Sequence, residues 1–325
     1  MTDGCGGSIA RRGLLVGMAA ALAAPRGAPA QPTERTARVG IYTTAPSWRD
    51  SIAGVLRDRG WIEGRSIAFE WHGAENSHTR LGEDVARMPP DVLVLGGPLR
   101  IREAMRVTTT IPIIGLDLES DPVTSGFVKT LARPGGNVSG LWMDLPEIAG
   151  KQIQFLREVI PNLNRLGVVW DDRIGKPQFD QVQAVCRGTK TSVHAASVHG
   201  VADIDGAMKR LLTERPQAIV LLTSPVISNG LARIAELALE SRLPSISPFS
   251  TFPGFGGLMA YGPDFPSMWR QLAGYVDRVL RGAKVGDLPV ERPAKFTLVV
   301  NLKTAKVLGL TLPQALILRA DEVIQ

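Results

Sequence analysis

The sequence contains few of the residues that most often carry enzyme chemistry. Its 325 residues include four histidines and two cysteines. The histidines stand in two pairs, His72 with His78 and His194 with His199, and neither pair has the spacing typical of a zinc or iron site. The Gly-x-Ser-x-Gly nucleophile motif, a Gly-x-Gly-x-x-Gly loop after the first strand and the Walker A motif are also absent. We therefore expect a protein that is not an enzyme, with no catalytic residue, no metal site and no cofactor.

The sequence has neither a large excess of one sign of charge nor a long apolar run. The chain has 37 Lys and Arg against 31 Asp and Glu, a formal net charge of +6, and it has no run of basic residues. This modest excess gives no reason to expect a nucleic-acid surface. The apolar run at residues 13–24 is too short to cross a bilayer, which needs about 20 residues. We expect a protein that is not embedded in a membrane.

Residues 1–30 have the layout of a secretory signal peptide. The basic pair Arg11-Arg12 precedes the apolar run, and Ala28-Pro29-Ala30 forms a small-x-small cleavage site. The pattern predicts cleavage after Ala30 and a periplasmic protein, and it leaves open whether export follows the Sec or the twin-arginine route. The mature chain would keep only Cys186, which excludes an internal disulfide. We interpret Cys186 as a small core residue.

The chain contains an internal repeat of domain length. Three pairs of segments correspond in the same order: 38–43 with 165–170, 90–95 with 216–221, and 111–114 with 243–246. Gly40 and Gly167, at equivalent places in the first pair, are 127 positions apart, which is the size of a whole domain rather than of a solenoid unit. The repeat predicts two similar lobes with a ligand cleft between them.

Strands and helices are predicted to alternate in both halves. The predicted strands are 39–43, 66–71, 92–95, 111–116, 166–170, 192–195, 218–222 and 245–247. The predicted helices between them are 48–59, 77–88, 99–107, 178–186, 204–213 and 228–241. Such alternation produces parallel sheets covered by helices on both faces. The predicted fold class is therefore α/β, with two Rossmann-like lobes.

The lobes are predicted to be joined by a multi-strand hinge. Lobe 1 is expected to comprise 36–139 and about 264–285, and lobe 2 to comprise 140–263 and about 286–325. Segments 139–143 and 258–262 fall between the lobes and are the predicted hinge strands. Because the C-terminal part is expected to cross to lobe 1 and back again, the hinge would have three crossings and a defined rotation.

The carboxyl ends of the strands carry polar and aromatic residues suited to ligand binding. In open α/β sheets, ligands bind outside these ends. The predicted ligand-binding residues are Thr43, Thr44, Gly96, Gly97, Pro98, Asp117, Asp121, Trp170, Asp171, Thr223, Ser224, Phe249, Ser250 and Tyr261. Helix N-termini at these ends favour an anionic group, and the aspartates could pair with an ammonium group. The pattern predicts a small polar or zwitterionic solute, such as an amino acid.

Two other interpretations of these residues stay open. Thr, Ser and Asp at strand ends can be helix caps without any ligand. Asp171-Asp172 could be a carboxylate pair for acid–base chemistry, although the sequence places no partner histidine or lysine beside it.

Several segments resemble one family of periplasmic binding proteins. The most specific are Leu-Ala-Arg-Pro-Gly-Gly-Asn at 131–137 and Asn-Leu-Lys-Thr-Ala-Lys at 301–306. Further similar segments follow the same order along the chain at 57–64, 120–123, 257–263, 287–291 and 320–324. Together they resemble the ABC transporter substrate-binding proteins of the tryptophan/tyrosine-binding type over essentially the whole mature chain.

This resemblance implies a type I periplasmic-binding-protein fold and a role in transport. A monomeric receptor would capture a small solute by hinge closure and deliver it to an ABC permease driven by its ATPase. Two alternatives remain: a periplasmic sensor that serves a membrane receptor, and an enzyme that uses the same cleft. A transcription regulator of similar shape would need a helix-turn-helix segment where this chain has its signal peptide.

Overall fold

Two sheets, one in each half of the chain, organise the fold. The computed structural model describes Met1 and residues 35–43, 47–72 and 77–325. Apart from Met1, the predicted signal peptide lies outside the described residues, and so does Thr44. Thr36–Gln325 forms one compact unit that contains both sheets. Among the described residues, no helix is long and apolar enough to cross a membrane.

The first lobe is built around a five-stranded parallel sheet with the order β2-β1-β3-β4-β5. Its strands are β1 (Ala37–Tyr42), β2 (Ile67–His72), β3 (Val92–Gly96), β4 (Ile113–Asp117) and β5 (Val138–Trp142). The helices between them are α1 (Ser47–Asp58), α2 (Ser77–Arg87) and α3 (Pro98–Val107). Strands β3, β4 and β5 are buried along their whole length, as expected for a parallel sheet covered on both faces.

The second lobe begins with helix α4 (Leu145–Val159) and has a seven-stranded sheet. Its strands are β6 (Arg165–Trp170), β7 (Ser192–Ser197), β8 (Ala218–Leu221), β9 (Ser245–Ser247), β10 (Met259–Pro263), β11 (Phe296–Asn301) and β12 (Glu322–Ile324). Its other helices are α5 (Lys176–Gly188), α6 (Ile204–Thr213), α7 (Pro225–Glu240), α9 (Leu302–Val307) and α10 (Gln314–Arg319), and α8 (Phe265–Leu280) lies between β10 and β11 in sequence. Among the strand pairs of the described residues, only β10–β11 is antiparallel.

The predicted repeat is confirmed by the order of the strands. The second sheet reads β7-β6-β8-β9-β10 before β11 and β12 are added, which matches β2-β1-β3-β4-β5 strand for strand. Gly40 in β1 and Gly167 in β6 therefore hold equivalent places. The α/β class and the two-lobe architecture predicted from the sequence are confirmed.

After the fifth strand of each repeat, the chain crosses to the other lobe. Helix α4 follows β5 yet contributes to the core of lobe 2, whereas α8 follows β10 yet contributes to the core of lobe 1. Both helices begin with an Asp-x-Pro sequence. The carboxylate of Asp144 accepts the N–H of Glu147 at 3.3 Å, and that of Asp264 accepts the N–H of Ser267 at 2.9 Å. Each aspartate therefore caps the helix that starts at a crossing.

The structure corrects the predicted lobe boundaries. Strand β5 pairs with β4 as far as Trp142, so lobe 1 continues beyond residue 139. Residues 286–291 also belong to lobe 1: Gly286 O accepts the N–H of Gly135 at 3.0 Å, and Glu291 bonds through N and O to β5. The predicted boundary at 286 fails because this segment pairs with the edge of the first sheet before it crosses. The three crossings lie at 143–144, at 264 and at 292–295.

Ion pairs join the three crossings to one another. Arg292 on the third crossing pairs with Asp144 on the first. Lys295 on the third crossing lies 3.9 Å from the carboxylate of Asp264 on the second, and its carbonyl oxygen accepts the N–H of Asp264 at 2.8 Å. The two capping aspartates thus also connect the strands of the hinge.

Glycines permit close backbone contacts in both fifth strands. Gly140 in β5 has a φ of 140°, and a Cβ atom there would lie 2.1 Å from the carbonyl oxygen of Gly115. A Cβ atom on Gly262 in β10 would lie 1.8 Å from the carbonyl oxygen of Pro248. Any larger residue would force the neighbouring backbone away at both places.

Two helices were not expected from the sequence. Helix α4 follows directly on the first crossing, and α10 precedes the final strand. Cys186 is 1% exposed in the core of lobe 2, as predicted for a small core residue. Burial raises the pKa of its thiol to about 11.

Candidate functional site

A cavity of about 790 Å³ lies between the two lobes. Lobe 1 contributes the ends of β1, β3 and β4, the start of α3 and one side of α1 with Ser51, Val55 and Asp58. Lobe 2 contributes the start of α7 and the segment after β9. The first half of α8 forms a further wall. This volume lies within the range of small-molecule sites, about 300–1,000 Å³.

Six of the predicted ligand-binding residues line this cavity together: Thr43, Gly96, Gly97, Ser224, Phe249 and Ser250. Pro98 is buried at the first position of α3, directly after Gly97. The repeat explains the grouping, because Gly97 and Ser224 precede the equivalent helices α3 and α7 in the two lobes.

Helix N-termini from both lobes meet at the cavity. Gly97 precedes α3 with a φ of 82°, which glycine adopts without strain, and it has no side chain to cap the helix. Ser224 precedes α7, and its hydroxyl accepts the N–H of Ile227 at 3.0 Å. The positive ends of two helix dipoles therefore favour an anionic group here.

Two arginines also line the cavity, and sequence reasoning missed both. Arg100 lies in the first turn of α3, is 8% exposed and donates to the carbonyl oxygen of Gly96 at 3.3 Å. Burial lowers the pKa of its guanidinium. Arg270 lies on α8 and is exposed. The signal for Arg100 was its place three residues after Gly97, inside the first turn of a predicted helix.

Aromatic rings form one wall of the cavity. Phe249 of lobe 2 stacks on Phe265 at the start of α8, with ring centroids 6.1 Å apart and planes 9° apart. Trp269, one turn further along α8, lies 5.9 Å from Phe265. All three line the cavity, but only Phe249 was predicted. The i, i+4 spacing of Phe265 and Trp269 was the available signal.

The aspartates predicted to face the ligand have protein partners. Asp117 is fully buried, and its carboxylate accepts hydrogen bonds from the N–H groups of Glu119 and Ser120, the hydroxyl of Ser120 and the indole N–H of Trp142. Asp121 caps the turn that follows it, by accepting the N–H groups of Val123 and Thr124. Neither lines the cavity.

Asp171 is likewise paired within the protein. It is 2% exposed, and both of its oxygens accept from the guanidinium of Arg173, at 2.9 and 2.7 Å. The bidentate geometry is the strong form of this contact. The pair raises the pKa of Arg173. Asp171 does not line the cavity.

Glu119 is the buried carboxyl group that does line the cavity. It is 6% exposed, and its Oε2 atom accepts the N–H of Leu118 at 3.2 Å. Burial, followed by the negative charge of Asp117, raises its pKa well above the usual range. Sequence reasoning passed over Glu119 although it stands between Asp117 and Asp121.

Two predicted aromatic residues lie elsewhere. Trp170 stacks on Phe179 of α5 at 4.4 Å, and Tyr261 in β10 contacts Phe155 and Phe296 at 5.1 and 5.9 Å. Neither lines the cavity. Both rings pack against the core of lobe 2.

Thr223 makes a direct contact between the lobes. Its hydroxyl donates to the carbonyl oxygen of Leu118 in lobe 1 at 2.8 Å, and the same oxygen atom lies 2.6 Å from Oε1 of Gln178. Gln178, on α5, also bonds to the backbone N–H and C=O of Thr223. A second cavity, of about 20 Å³, lies beside these residues, which is enough for one water molecule.

Comparison with known proteins agrees with this architecture. Residues 45–324 match the family model described as ABC transporter substrate binding protein. A tyrosine-binding protein of Clostridioides difficile (strain R20291) is 24% identical over 261 residues, which cover 78% of this chain and 74% of that protein.

Solved structures show the same fold. A conserved domain protein of Vibrio cholerae O1 biovar El Tor superposes with a TM-score of 0.83 at 24% identity, over 89% of this chain and 100% of that one. An ABC domain of Streptococcus pneumonia, solved in complex with L-Trp, superposes with a TM-score of 0.80 at 23% identity and the same coverage. The fold is the type I periplasmic-binding-protein fold that the sequence predicted.

Proposed function

Because the chain belongs to the ABC transporter substrate-binding protein family, we propose that its inter-lobe cavity captures an amino acid with an aromatic side chain. One relative is named a tyrosine-binding protein, and one structure of the same fold was solved with L-Trp. We extend this ligand class to the present chain. The receptor then delivers the solute, chemically unchanged, to an ABC permease driven by its ATPase.

A single observation carries this proposal: the cavity combines an anion-binding end with an aromatic wall. Arg100 and the N-termini of α3 and α7 provide positive charge for a carboxylate. Phe249, Phe265 and Trp269 offer ring faces for an aromatic side chain. An amino acid carries both groups on one small molecule.

We also propose that ligand binding closes the lobes around the hinge. In the described chain beyond Thr36, the backbone passes between the lobes at 143–144, at 264 and at 292–295. A solute that contacts both lobes favours the closed form, because its affinity for that form is higher. Small-angle scattering should show a smaller radius of gyration with bound ligand, and an unchanged radius alongside proven binding would refute closure.

The family usually works outside the cytoplasm, and we propose the periplasm for this chain, as a monomer released from its signal peptide after Ala30. The export signal at residues 11–30 supports this location. N-terminal sequencing of the periplasmic protein should begin at or within a few residues of Gln31.

Calorimetry with L-tryptophan, L-tyrosine, L-phenylalanine and L-leucine tests the ligand class. The aromatic amino acids should bind at least roughly tenfold more tightly than leucine, about 1.4 kcal/mol. Phe249→Ala should weaken the binding of tryptophan, whereas Phe255→Ala, a matched change at a 52% exposed ring, should not. Equal effects of the two substitutions, or no binding of any of the four, would refute the proposal.

A further inference from the structure

Two buried carboxyl groups lie close together, one lining the cavity and one behind it. Glu119 faces the cavity and is 6% exposed, and Asp117 lies behind it with no exposed surface. The backbone N–H of Glu119 donates to Oδ1 of Asp117 at 2.8 Å, and, after burial, the negative charge of Asp117 is one of the causes that raise the pKa of Glu119. Two carboxyl groups buried this close together resist ionising at the same time, because their negative charges repel in a medium of low dielectric constant. We therefore expect the pair to hold one proton while no cation is bound.

The hydrogen bonds that each carboxyl group accepts indicate which of the two holds this proton. Asp117 accepts four hydrogen bonds from N–H and O–H groups. Glu119 accepts one, from the N–H of Leu118. Donors aimed at a carboxyl group stabilise its ionised form. Asp117 is thus the ionised member of the pair, and Glu119 is the protonated one.

The charged groups around Glu119 do not supply it with a counter-ion. Asp171 adds further negative potential, and the charge of Arg173 is already paired with Asp171. Arg100 and Arg270 line the same cavity, and the guanidinium of Arg100 donates to the carbonyl oxygen of Gly96. Within residues 35–43, 47–72 and 77–325, no Lys, Arg or His side chain forms an ion pair with Glu119. An ionised Glu119 would need a cation from outside the chain.

We propose that Glu119 recognises the ammonium group of the bound solute, and that this group displaces the proton of Glu119, which is released to solvent. This inference rests on the proposed function, since it requires a zwitterion in the cavity. The reaction is balanced: a neutral carboxylic acid and an ammonium ion become a carboxylate–ammonium pair and one free proton. The carboxylate of the solute would lie toward Arg100 and the helix N-termini.

Proton release makes affinity depend on pH. While Glu119 is protonated in the free protein, each unit of falling pH should weaken the binding of an amino acid tenfold, because binding must expel one proton. Above the pKa of Glu119 the affinity should reach a plateau. An analogue without an amine expels no proton, so its affinity should not improve as the pH rises.

Calorimetry at pH 6.5 in two buffers of different ionisation enthalpy measures the released protons directly. L-tryptophan should release about one proton, and indole-3-propionate none. Glu119→Gln should bind tryptophan at least roughly tenfold more weakly, without proton release, and should bind indole-3-propionate no more weakly than the parent does. Binding of tryptophan to the parent without proton release would overturn the proposal, although the proposed function would stand.

The pH dependence of stability without ligand tests the protonation of Glu119 separately from the identity of the solute. A group whose pKa is higher in the folded than in the unfolded protein stabilises the fold at low pH, and this contribution is lost as the pH rises through the folded pKa. Above about pH 4.5, the ordinary value for a glutamic acid, the parent should therefore lose stability relative to Glu119→Gln. Glu240→Gln, at an exposed position, is the control. If neither ligand binds, the proposal that the solute is an amino acid is refuted. If the stabilities of the parent and of Glu119→Gln change with pH in the same way, Glu119 is not protonated in the free protein, and the further inference is refuted as well.

Discussion

The hydroxyl of Thr223 in lobe 2 donates a hydrogen bond to the carbonyl oxygen of Leu118 in lobe 1, at 2.8 Å. This bond lies between the ends of strands β4 and β8, one from each lobe, and next to Glu119. The hydroxyl has one proton and a second acceptor, Oε1 of Gln178, at 2.6 Å. If the lobes separate, the proton can turn toward Gln178, so the threonine is not left with an unsatisfied donor.

Thr223→Val should weaken ligand binding by about fivefold, since a net hydrogen bond contributes about 1 kcal/mol. The free protein should also have a larger radius of gyration, because a contact present only when the lobes meet is lost. Calorimetry and small-angle scattering measure the two effects. Thr304→Val is the control: this buried threonine bonds to the backbone of Gly256 within lobe 2. It should lower stability without changing affinity, and equal loss of affinity in both variants would contradict the role of Thr223.

Arg100→Met should remove the main buried positive charge of the cavity. We expect L-tryptophan to bind roughly a hundredfold more weakly, because its carboxylate would lose a partner in a poorly hydrated site, a loss of about 3 kcal/mol. Tryptamine, which has no carboxylate, should bind no more weakly than to the parent. Arg106→Met, an exposed position on the same helix, should leave both affinities unchanged. A loss of tryptamine binding equal to that of tryptophan would argue against a carboxylate at Arg100.

Gly140→Ala should destabilise the protein by more than about 2 kcal/mol, because the added Cβ atom would overlap the carbonyl oxygen of Gly115. Gly150→Ala is the matched change in helix α4, where no atom lies within 4 Å of the added Cβ. That variant should gain about 0.5–1 kcal/mol from the lower entropy of its unfolded chain. Urea unfolding measures both, and similar stabilities for the two variants would show that β4 and β5 can separate without cost.

Thiol titration tests the removal of the signal peptide. Cys5 lies in the predicted signal peptide and Cys186 in the core of lobe 2. Protein isolated from the periplasm should show no reactive thiol when folded at pH 8, because Cys186 is buried and its pKa is raised to about 11. In denaturant the same protein should titrate one thiol per chain. Two thiols per chain would mean that Cys5 is retained and that cleavage after Ala30 does not occur.

The positions of the strands along the chain could be predicted from the sequence because buried parallel strands leave short apolar runs between turn residues. The runs at 92–95 and 218–222 lie close to β3 and β8 as observed. Helix α4 was missed, although Ile148, Gln152 and Leu156 recur at helical spacing on one side of it. Its Asp144-Leu145-Pro146 start was also a usable signal, since proline is favoured in a first helical turn.

The cavity was only partly predictable. Residues that directly follow strands, such as Gly97 and Ser224, could be located because strand ends meet at one edge of a sheet. The partners of Asp117 and Asp171 could not, because Trp142 lies on a neighbouring strand and the pairing of Arg173 depends on the shape of a loop. Phe265 and Trp269 belong to a helix whose position depends on the second crossing.

The exchange of helices between lobes also determines how much of the chain must be present before either lobe can fold. The core of lobe 1 contains Met268, Leu272 and Tyr275 from α8. The last strand of its sheet ends at Trp142 and α8 begins at Phe265, 265 − 142 = 123 positions later. At about 5–20 residues per second, a ribosome needs on the order of ten seconds to make this stretch. Until α8 is present, the sheet of lobe 1 lacks the helix that completes its core. A truncated chain that stops before α8 therefore contains no complete lobe.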